Sequence, residues 1–440
     1  MSGLPRGWVE ATVSDLCELI NGKAFKPSDW ATNGLPIVRI QNLNNSNAGF
    51  NYYQGNVEEK FLIGSGQLLF AWSGTPGTSF GAHVWDGGKA VLNQHIFKVN
   101  FPIDLVDKHF LRNAINQKLE ELIGKAHGGA GLQHVTKGKF EETLVAFPPL
   151  AEQKRIVAKL DALNAKSARA RTELARIETL VSRYKQAVLS KAFSGELIGS
   201  VHSEQVLPTR GVTRLSEICE SITDGDHQAP PKATSGVPFI TISAMNDGRI
   251  DVGKATRFVP RSYYDKLLES RKPRLGDILY SVTGSYGIPA IVKVAEPFVF
   301  QRHIAILRPN AVIASAKYIA FLLGSPEITA QADAIATGTA QKTVPLKGLR
   351  NFKLPVPPLE EQQEIVRRIE SAFAKIDRLA AEAKSALYLV GRLDEAILAK
   401  AFRGELVPQD ENDEPAEKLL ERIRAERVAA PKAKRGLGRR

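Results

Sequence analysis

The sequence predicts an α+β protein: two related α/β globules, each followed by a long helix, with the two helices antiparallel about a pseudo-twofold internal repeat. Three observations predict this. A block near the middle of the chain recurs near its end, the block carries a sustained heptad pattern, and short apolar runs bounded by turn residues fill the regions outside it.

The repeat comes first. Residues 147–198 align without gaps to residues 356–407, with 22 identities in 52 positions. Pro148-Pro149-Leu150 matches Pro357-Pro358-Leu359, Glu152-Gln153 matches Glu361-Gln362, and Lys191-Ala192-Phe193 matches Lys400-Ala401-Phe402. Gly195-Glu196-Leu197 matches Gly404-Glu405-Leu406, so the Pro start and the Gly stop recur together. Fainter matches precede the blocks: Cys17-Glu18 with Cys219-Glu220, Gly34-Leu35-Pro36-Ile37 with Gly236-Val237-Pro238-Phe239, and His95-Ile96 with His303-Ile304. The layout is globule 1–147, arm 148–200, globule 201–355, arm 356–408 and a charged tail 409–440.

The arms are predicted to be helices. Pro-Pro forces an extended start. Apolar and small residues then recur at spacings of 4 and 3, the mark of a coiled-coil seam. The first seam runs through Ile156, Leu160, Leu163, Ser167, Ala170, Leu174, Ile177, Val181, Tyr184 and Val188. The second runs through Ile365, Ile369, Ala372, Ile376, Leu379, Ala383, Ala386, Val390, Leu393 and Ile397. A helix of about 40 residues spans ~60 Å. Antiparallel pairing with coincident seam centres sets Ile156 against Ile397 and Val188 against Ile365.

In the globules, Ile37–Ile40, Leu68–Trp72, His95–Val99, Phe239–Ile242, Ile278–Val282 and Ile304–Leu307 read as strands. Residues 106–125 and 317–335 read as helices, the second interrupted at Ser325-Pro326. Polar, Gly-rich loops lie between them. One holds Ser73, Thr75 and Thr78, matched by Ser285 and Tyr286 in the second globule. Another holds Gln133, His134 and Lys137, matched by Gln341, Lys342 and Lys347. Small residues permit close backbone approach to a ligand, and Gln, Asn, Arg and Lys supply the donors that read base edges or grip phosphates. Lys23, Lys26 and Lys232 join them as candidate nucleic-acid contacts. Any one of these residues also fits an ordinary solvated turn.

Composition narrows the classes. The chain has 440 residues, 43% hydrophobic and 24% charged, which excludes a mainly disordered protein. No apolar run reaches the ~18 residues of a membrane span. The start, Met1 to Arg6, has no apolar signal core, and the expectation is a cytoplasmic protein. Two cysteines, Cys17 and Cys219, are repeat equivalents and predict neither a disulfide scaffold nor a Cys-based zinc site. The net charge of +12 favours an anionic partner such as nucleic acid, although residues 1–147 are balanced at 13 basic and 13 acidic. Catalytic signatures are missing. The Pro-Pro pairs lack the preceding Asn or Asp and the following aromatic of an adenine methyltransferase, no phosphate-cradling loop ends in Gly-Lys-Ser/Thr, and the histidines have no metal-ligand spacing.

The repeated Pro-Pro-Leu-x-Glu-Gln arm, the Lys-Ala-Phe-x-Gly-Glu-Leu close and the opening Leu4-Pro5-Arg6-Gly7-Trp8 resemble the specificity subunits of type I restriction–modification systems. The second globule departs from this with Gly211-Val212 where the first has Gly7-Trp8. The resemblance implies that each globule is a target recognition domain for one half of a split double-stranded DNA site. It implies arms that fix the unread gap and dock two methyltransferase subunits, which would carry S-adenosylmethionine, and separate restriction subunits that cut DNA. This chain itself would bind no cofactor and catalyse nothing. Two other readings fit the residues: a coiled-coil adaptor that binds only proteins, and the specificity part of another modification methylase.

Overall fold

The computed structural model describes residues 3–45, 48–74, 79–124, 133–194, 211–225, 230–246, 248–339 and 341–429. The chain forms two compact units: Met1–Thr172 with Leu387–Arg440, and Glu173–Ala386. The repeated arms are single helices, Leu150–Ser194 and Leu359–Phe402, and each is shared between the units, so the units cut across the segments marked by the repeat.

In the first unit a four-stranded antiparallel sheet runs in the order Glu18–Asn21, Ile96–Asn100, Gln67–Ala71, Gly81–Trp85. Its third strand is apolar from Leu68 to Ala71 because both faces are covered. Leu68 and Phe70 face a core with Phe97, Phe110 and Phe140, while Leu69 and Ala71 face another with Val38, Leu92 and Ile96. A second sheet orders Asn51–Tyr53, Leu35–Val38, Ala90–Leu92 and Leu62–Ile63, its central pair parallel with Ile37 opposite Val91. Val9–Thr12 pairs with Leu144–Phe147 beside the arm.

The second unit repeats this plan. Its four-stranded sheet runs Cys219–Asp224, Ile304–Pro309, Ile278–Ser281, Pro289–Ile291. Its other sheet orders Arg257–Val259, Val237–Ile240 and Val299–Phe300, with Phe239 opposite Val299 in the parallel pair. Val212–Arg214 pairs with Lys353–Pro355. The faint sequence matches between the globules therefore mark equivalent strands.

Local chemistry moved some boundaries. Ile40 begins the short helix Ile40–Asn44 rather than ending a strand, because the Asn42 side chain accepts the Arg39 N–H at 3.0 Å. Ile242 likewise lies in the turn Ile242–Ala244. The helix expected over 106–125 is two, Lys108–Gln117 and Leu119–Gly124, and the first starts where Asp107 accepts the Phe110 N–H at 2.9 Å. Ala316–Leu323 and Pro326–Ile335 break at Ser325-Pro326, as the sequence indicates.

The repeated Glu-Gln has a structural meaning. In the first unit Gln153 donates to the Pro148 carbonyl at 2.9 Å and accepts the Asp107 N–H at 2.8 Å. In the second, Gln362 donates to the Pro357 carbonyl at 2.7 Å and to the Ile313 carbonyl at 3.0 Å, and accepts the Ser315 N–H at 2.9 Å. Each glutamine ties the Pro-Pro start of an arm to the first turn of a globule helix.

Within the first unit Ile156, Val157 and Leu160 share a core with Ile397, Ala401 and Phe402; within the second, Leu189, Ala192 and Phe193 share one with Ile365, Val366 and Ile369. The start of one arm thus packs with the end of the other, the antiparallel sense. The register differs from the expected one. Arg171 pairs with Asp394 at 2.7 Å and Lys185 with Asp377 at 2.6 Å, where coincident seam centres would set them against Glu382 and Arg368. The expected register would therefore oppose Lys185 to a like charge, and the observed one pairs opposite charges.

The seam itself needs one correction. Ile156, Leu160, Ile365 and Ile369 are buried, and Leu163, Leu174, Ile177, Val181, Ile376 and Val390 are half-buried. Leu379 and Leu393 are 61% and 54% exposed, and Tyr184 is exposed. Ala380 and Asp394 are the less exposed residues there, while Ile369, Ile376, Ala383, Val390 and Ile397 stay inward at intervals of seven, so in the second arm the departure is confined to Leu379 and Leu393.

The helix Ala416–Ala429 completes the first unit, with Ala416, Leu419, Leu420 and Ile423 packed into the core that holds Trp8, Val13 and Leu16. Arg424 bonds Asp15 at 3.0 Å, and the Ala416 N–H bonds the Gly7 carbonyl at 2.9 Å. Gly404 explains the Gly of the closing motif: its φ is +72°, and a Cβ there would lie 2.3 Å from Pro5 Cγ.

Candidate nucleic-acid interface

In each unit three polar loops meet at one end of the four-stranded sheet. In the first, Ser73–Gly74 continues past the central strand and pairs with Gln133–His134, with Ser73 opposite His134. The Val135 N–H bonds the Trp72 carbonyl at 3.1 Å. Trp72 joins the third loop: its indole N–H bonds the Gln94 carbonyl at 3.2 Å and its ring lies 5.2 Å from that of His95.

In the second unit Thr283 bridges Thr343, and the Gly284 N–H bonds the Lys342 carbonyl at 2.9 Å. The third loop enters through the Val282 N–H, bonded to the His303 carbonyl at 2.9 Å, with Gln301 and His303 side chains 3.2 Å apart. The pairing of the Ser73 and Gln133 loops, and of the Ser285 and Gln341 loops, is therefore a real proximity. Ser285, Gln341, Lys342 and Lys347 are exposed, as are Lys26 and Lys232.

Other candidates have their polar groups committed. Lys137 donates to the Leu19 carbonyl at 2.9 Å and lies 3.5 Å from Glu141. It fastens a short helix to the sheet. Tyr286 donates to Asp333 at 2.6 Å, a bond that holds its phenol above the ordinary value. Ser73 is 1% exposed and serves the strand rather than a ligand. The Lys23 ammonium lies 4.9 Å above the Tyr53 ring. Thr75 and Thr78 lie outside the described residues, as do the side chains of Gln133 and His134.

The structure also shows a hollow that the loop motifs did not indicate. A cavity of about 460 Å³ in the first unit is lined by Phe25, Trp30, Arg39, Gln41, Asn44 and His95, among others. The Arg39 guanidinium lies 5.2 Å from the Trp30 ring, which is 41% exposed. A guanidinium and two amides offer directed hydrogen bonds to base edges, and the aromatic rings offer stacking. The signal was present in sequence as Trp30 and Arg39, but they are nine residues apart and meet only through the turn before Leu35–Val38.

Among the described residues nothing resembles a catalytic centre. Among the described residues no group of His, Cys, Asp and Glu could hold a metal. Burial pushes the Cys17 and Cys219 thiols up to about 12, which keeps them protonated and unreactive. No described helix is long and apolar enough to cross a membrane.

Comparison with known proteins agrees with this reading. The model of the type I restriction modification DNA specificity domain matches residues 5–179 and 211–387. The type I restriction enzyme EcoKI specificity subunit of Escherichia coli (strain K12) is 30% identical over 469 residues, covering 97% of this chain and 97% of that protein. The EcoBI specificity subunit of Escherichia coli is 29% identical, covering 96% of this chain and 93% of its own. Among solved structures, one from a study of complex assembly and conformational transition of the type I R-M system superposes with a TM-score of 0.67 at 23% identity, covering 92% of this chain and 99% of that one. The HsdS subunit from Thermoanaerobacter tengcongensis gives 0.56 at 23% identity, covering 92% and 98%. These structural likenesses concern the fold. With two tandem matches to the domain and a relative aligned end to end, the chain belongs to the type I restriction modification DNA specificity family.

Proposed function

We propose that each globule reads one half of an asymmetric, bipartite DNA target, and that the arms set the unread gap between the halves. The supporting observation is that one topology presents three polar loops at the same place in both units while the side chains at matched places differ: Trp72 and His134 in one, Val282 and Thr343 in the other. Related frames with unlike readers imply unlike half-sites. Recognition rests on directed bonds from these loops to base edges, and exposed lysines such as Lys342 add sequence-independent attraction to phosphates.

The chain is a non-catalytic DNA-recognition subunit, so the chemistry belongs to partners. Two methyltransferase subunits carrying S-adenosylmethionine would dock on it and methylate adenine, and restriction subunits would cut unmethylated DNA, all in the cytoplasm.

The test maps methylated adenines in host DNA with and without the chain. A split, asymmetric motif that disappears with the chain is expected; methylation that persists unchanged overturns the reading. Inserting one heptad into both arms adds ~10 Å of helix, about three base pairs of duplex. The gap should lengthen by about that amount with both half-sites kept, and an unchanged gap removes the ruler role.

A further inference from the structure

A cavity of about 560 Å³ in the first unit lies between the chain segment Arg6–Val9, the first turn of the first arm and the stretch Gln409–Glu417. Five of its lining residues are acidic: Glu152, Asp410, Glu411, Asp413 and Glu417. Two are neutralised in place. Asp413 is held by Arg155 through contacts of 2.6 and 3.3 Å, and Glu411 meets Arg6 at 2.5 Å on the exposed rim. The others leave the cavity with a surplus of negative charge.

Glu152 is the telling member. It is 1% exposed, and its Oε2 accepts the Trp8 indole N–H at 3.0 Å. Its Oε1 is equally buried and has no hydrogen-bond partner. A buried carboxylate oxygen without a donor is rare in folded proteins, because the lost hydration is uncompensated. Such an atom beside an acidic hollow calls for a donor from outside the chain.

The donor's chemistry follows from the walls. Among the described residues no acidic group converges as a metal site requires, so the carboxylates are too dispersed for a point cation. Trp8, Pro149 and Pro415 give the hollow apolar sides. A planar guanidinium suits both features: it presents several N–H donors in a flat fork and tolerates apolar contact on its faces.

We infer that this hollow is a binding site for a guanidinium group, with Glu152 Oε1 as its principal acceptor and Asp410 and Glu417 as rim charges. The group could be presented by an arginine of an assembling subunit or be free; only the former rests on the function proposed above.

The test titrates the full-length chain with arginine amide at low ionic strength, following binding calorimetrically. Citrulline amide, its neutral isostere, and Mg²⁺ are the controls. Saturable binding of arginine amide is expected, weakened at least tenfold by Glu152→Gln, with neither control binding there. Binding unchanged in Glu152→Gln, equal binding of citrulline amide, or displacement by Mg²⁺ overturns the inference. Should Glu152→Gln fold poorly, Asp410→Asn with Glu417→Gln at the rim should still weaken binding about threefold or more, and no effect from that pair counts against the site.

A second arm measures assembly with the methyltransferase subunit. Loss of affinity in Glu152→Gln, with DNA binding by the chain unchanged, assigns the guanidinium to that subunit. Unchanged assembly beside intact arginine amide binding assigns the site to a free ligand. A wild-type chain that recruits no methyltransferase defeats the proposed function and leaves the first arm as the judge of the hollow.

Discussion

Replacing Gln362 with Ala tests the hinge between arm and globule. The side chain is fully buried and makes three hydrogen bonds, to the carbonyls of Pro357 and Ile313 and from the N–H of Ser315. Truncation removes all three and leaves a buried N–H and two carbonyls without this partner. At about 1 kcal/mol net per bond, with ~1–3 kcal/mol for the stranded donor, the loss is ~4–6 kcal/mol. For a unit of roughly 200 residues this lowers Tm by ~8–24 °C, at ~2–4 °C per kcal/mol. The equivalent Gln153 makes two such bonds and its loss strands the Asp107 N–H, so Gln153→Ala should cost somewhat less, about 3–5 kcal/mol. Calorimetric melts and urea titrations of the full chain give both numbers, with Gln363→Ala on the exposed face as the control. A Gln362→Ala loss below ~1 kcal/mol, or a Gln363→Ala loss as large, would refute the reasoning.

Other outcomes follow from the same geometry. Gly404→Ala forces a residue into left-handed backbone against Pro5 and should destabilise the first unit by ~1–3 kcal/mol, read as a fall in its urea midpoint. Burial, ahead of the opposing effects of Trp8 and Arg155, holds the Glu152 carboxyl above its ordinary value. The folded state therefore keeps that proton longer, and its stabilising contribution is present at low pH and lost as pH rises through the folded value. Glu152→Gln should melt at or above wild type at pH 7.5, and the difference should shrink towards pH 4. Arg39→Ala should weaken specific DNA binding by ~1–3 kcal/mol and relax one half-site in a binding-site selection. Lys342→Ala should weaken binding about equally across sequences and reduce the salt slope by about one; a sequence-dependent loss would mark it as a base reader.

The arms were the most legible part of the chain. Pro-Pro, the apolar spacing and the closing Gly each act through local backbone rules, and those survive in any context. Register was not legible, because it is decided by pairs such as Arg171 with Asp394, which sequence spacing cannot choose among many charges. The same limit misplaced Leu379 and Leu393, where the less exposed neighbours are the small Ala380 and the charged Asp394, which an apolar pattern does not select. In the globules, strands with two covered faces were easy to find as apolar runs. Ile40 was misread because Asn42 folds back to cap its own turn. The candidate interface was half visible. The repeated small-residue loops indicated the segments that meet around Gly284 and Lys342, yet Lys137, a candidate contact in the sequence, proved to be an anchor for Leu19. Arg39 over Trp30 required the tertiary turn to be seen.

The first unit is assembled from residues up to Thr172 and again from Leu387 onward, whereas the second is one unbroken stretch. On the ribosome, chain order then runs against spatial order. Ile156 and Leu160 emerge more than two hundred residues before Ile397 and Phe402, and Val13 and Leu16 wait still longer for Leu420 and Ile423. The later-made globule can finish while the earlier one remains open, its unfilled core exposed to chaperones or to misassociation during translation. Nascent chains stalled when residue 386 has just cleared the ribosome should accordingly show a protease-resistant Glu173–Ala386 and a labile first segment.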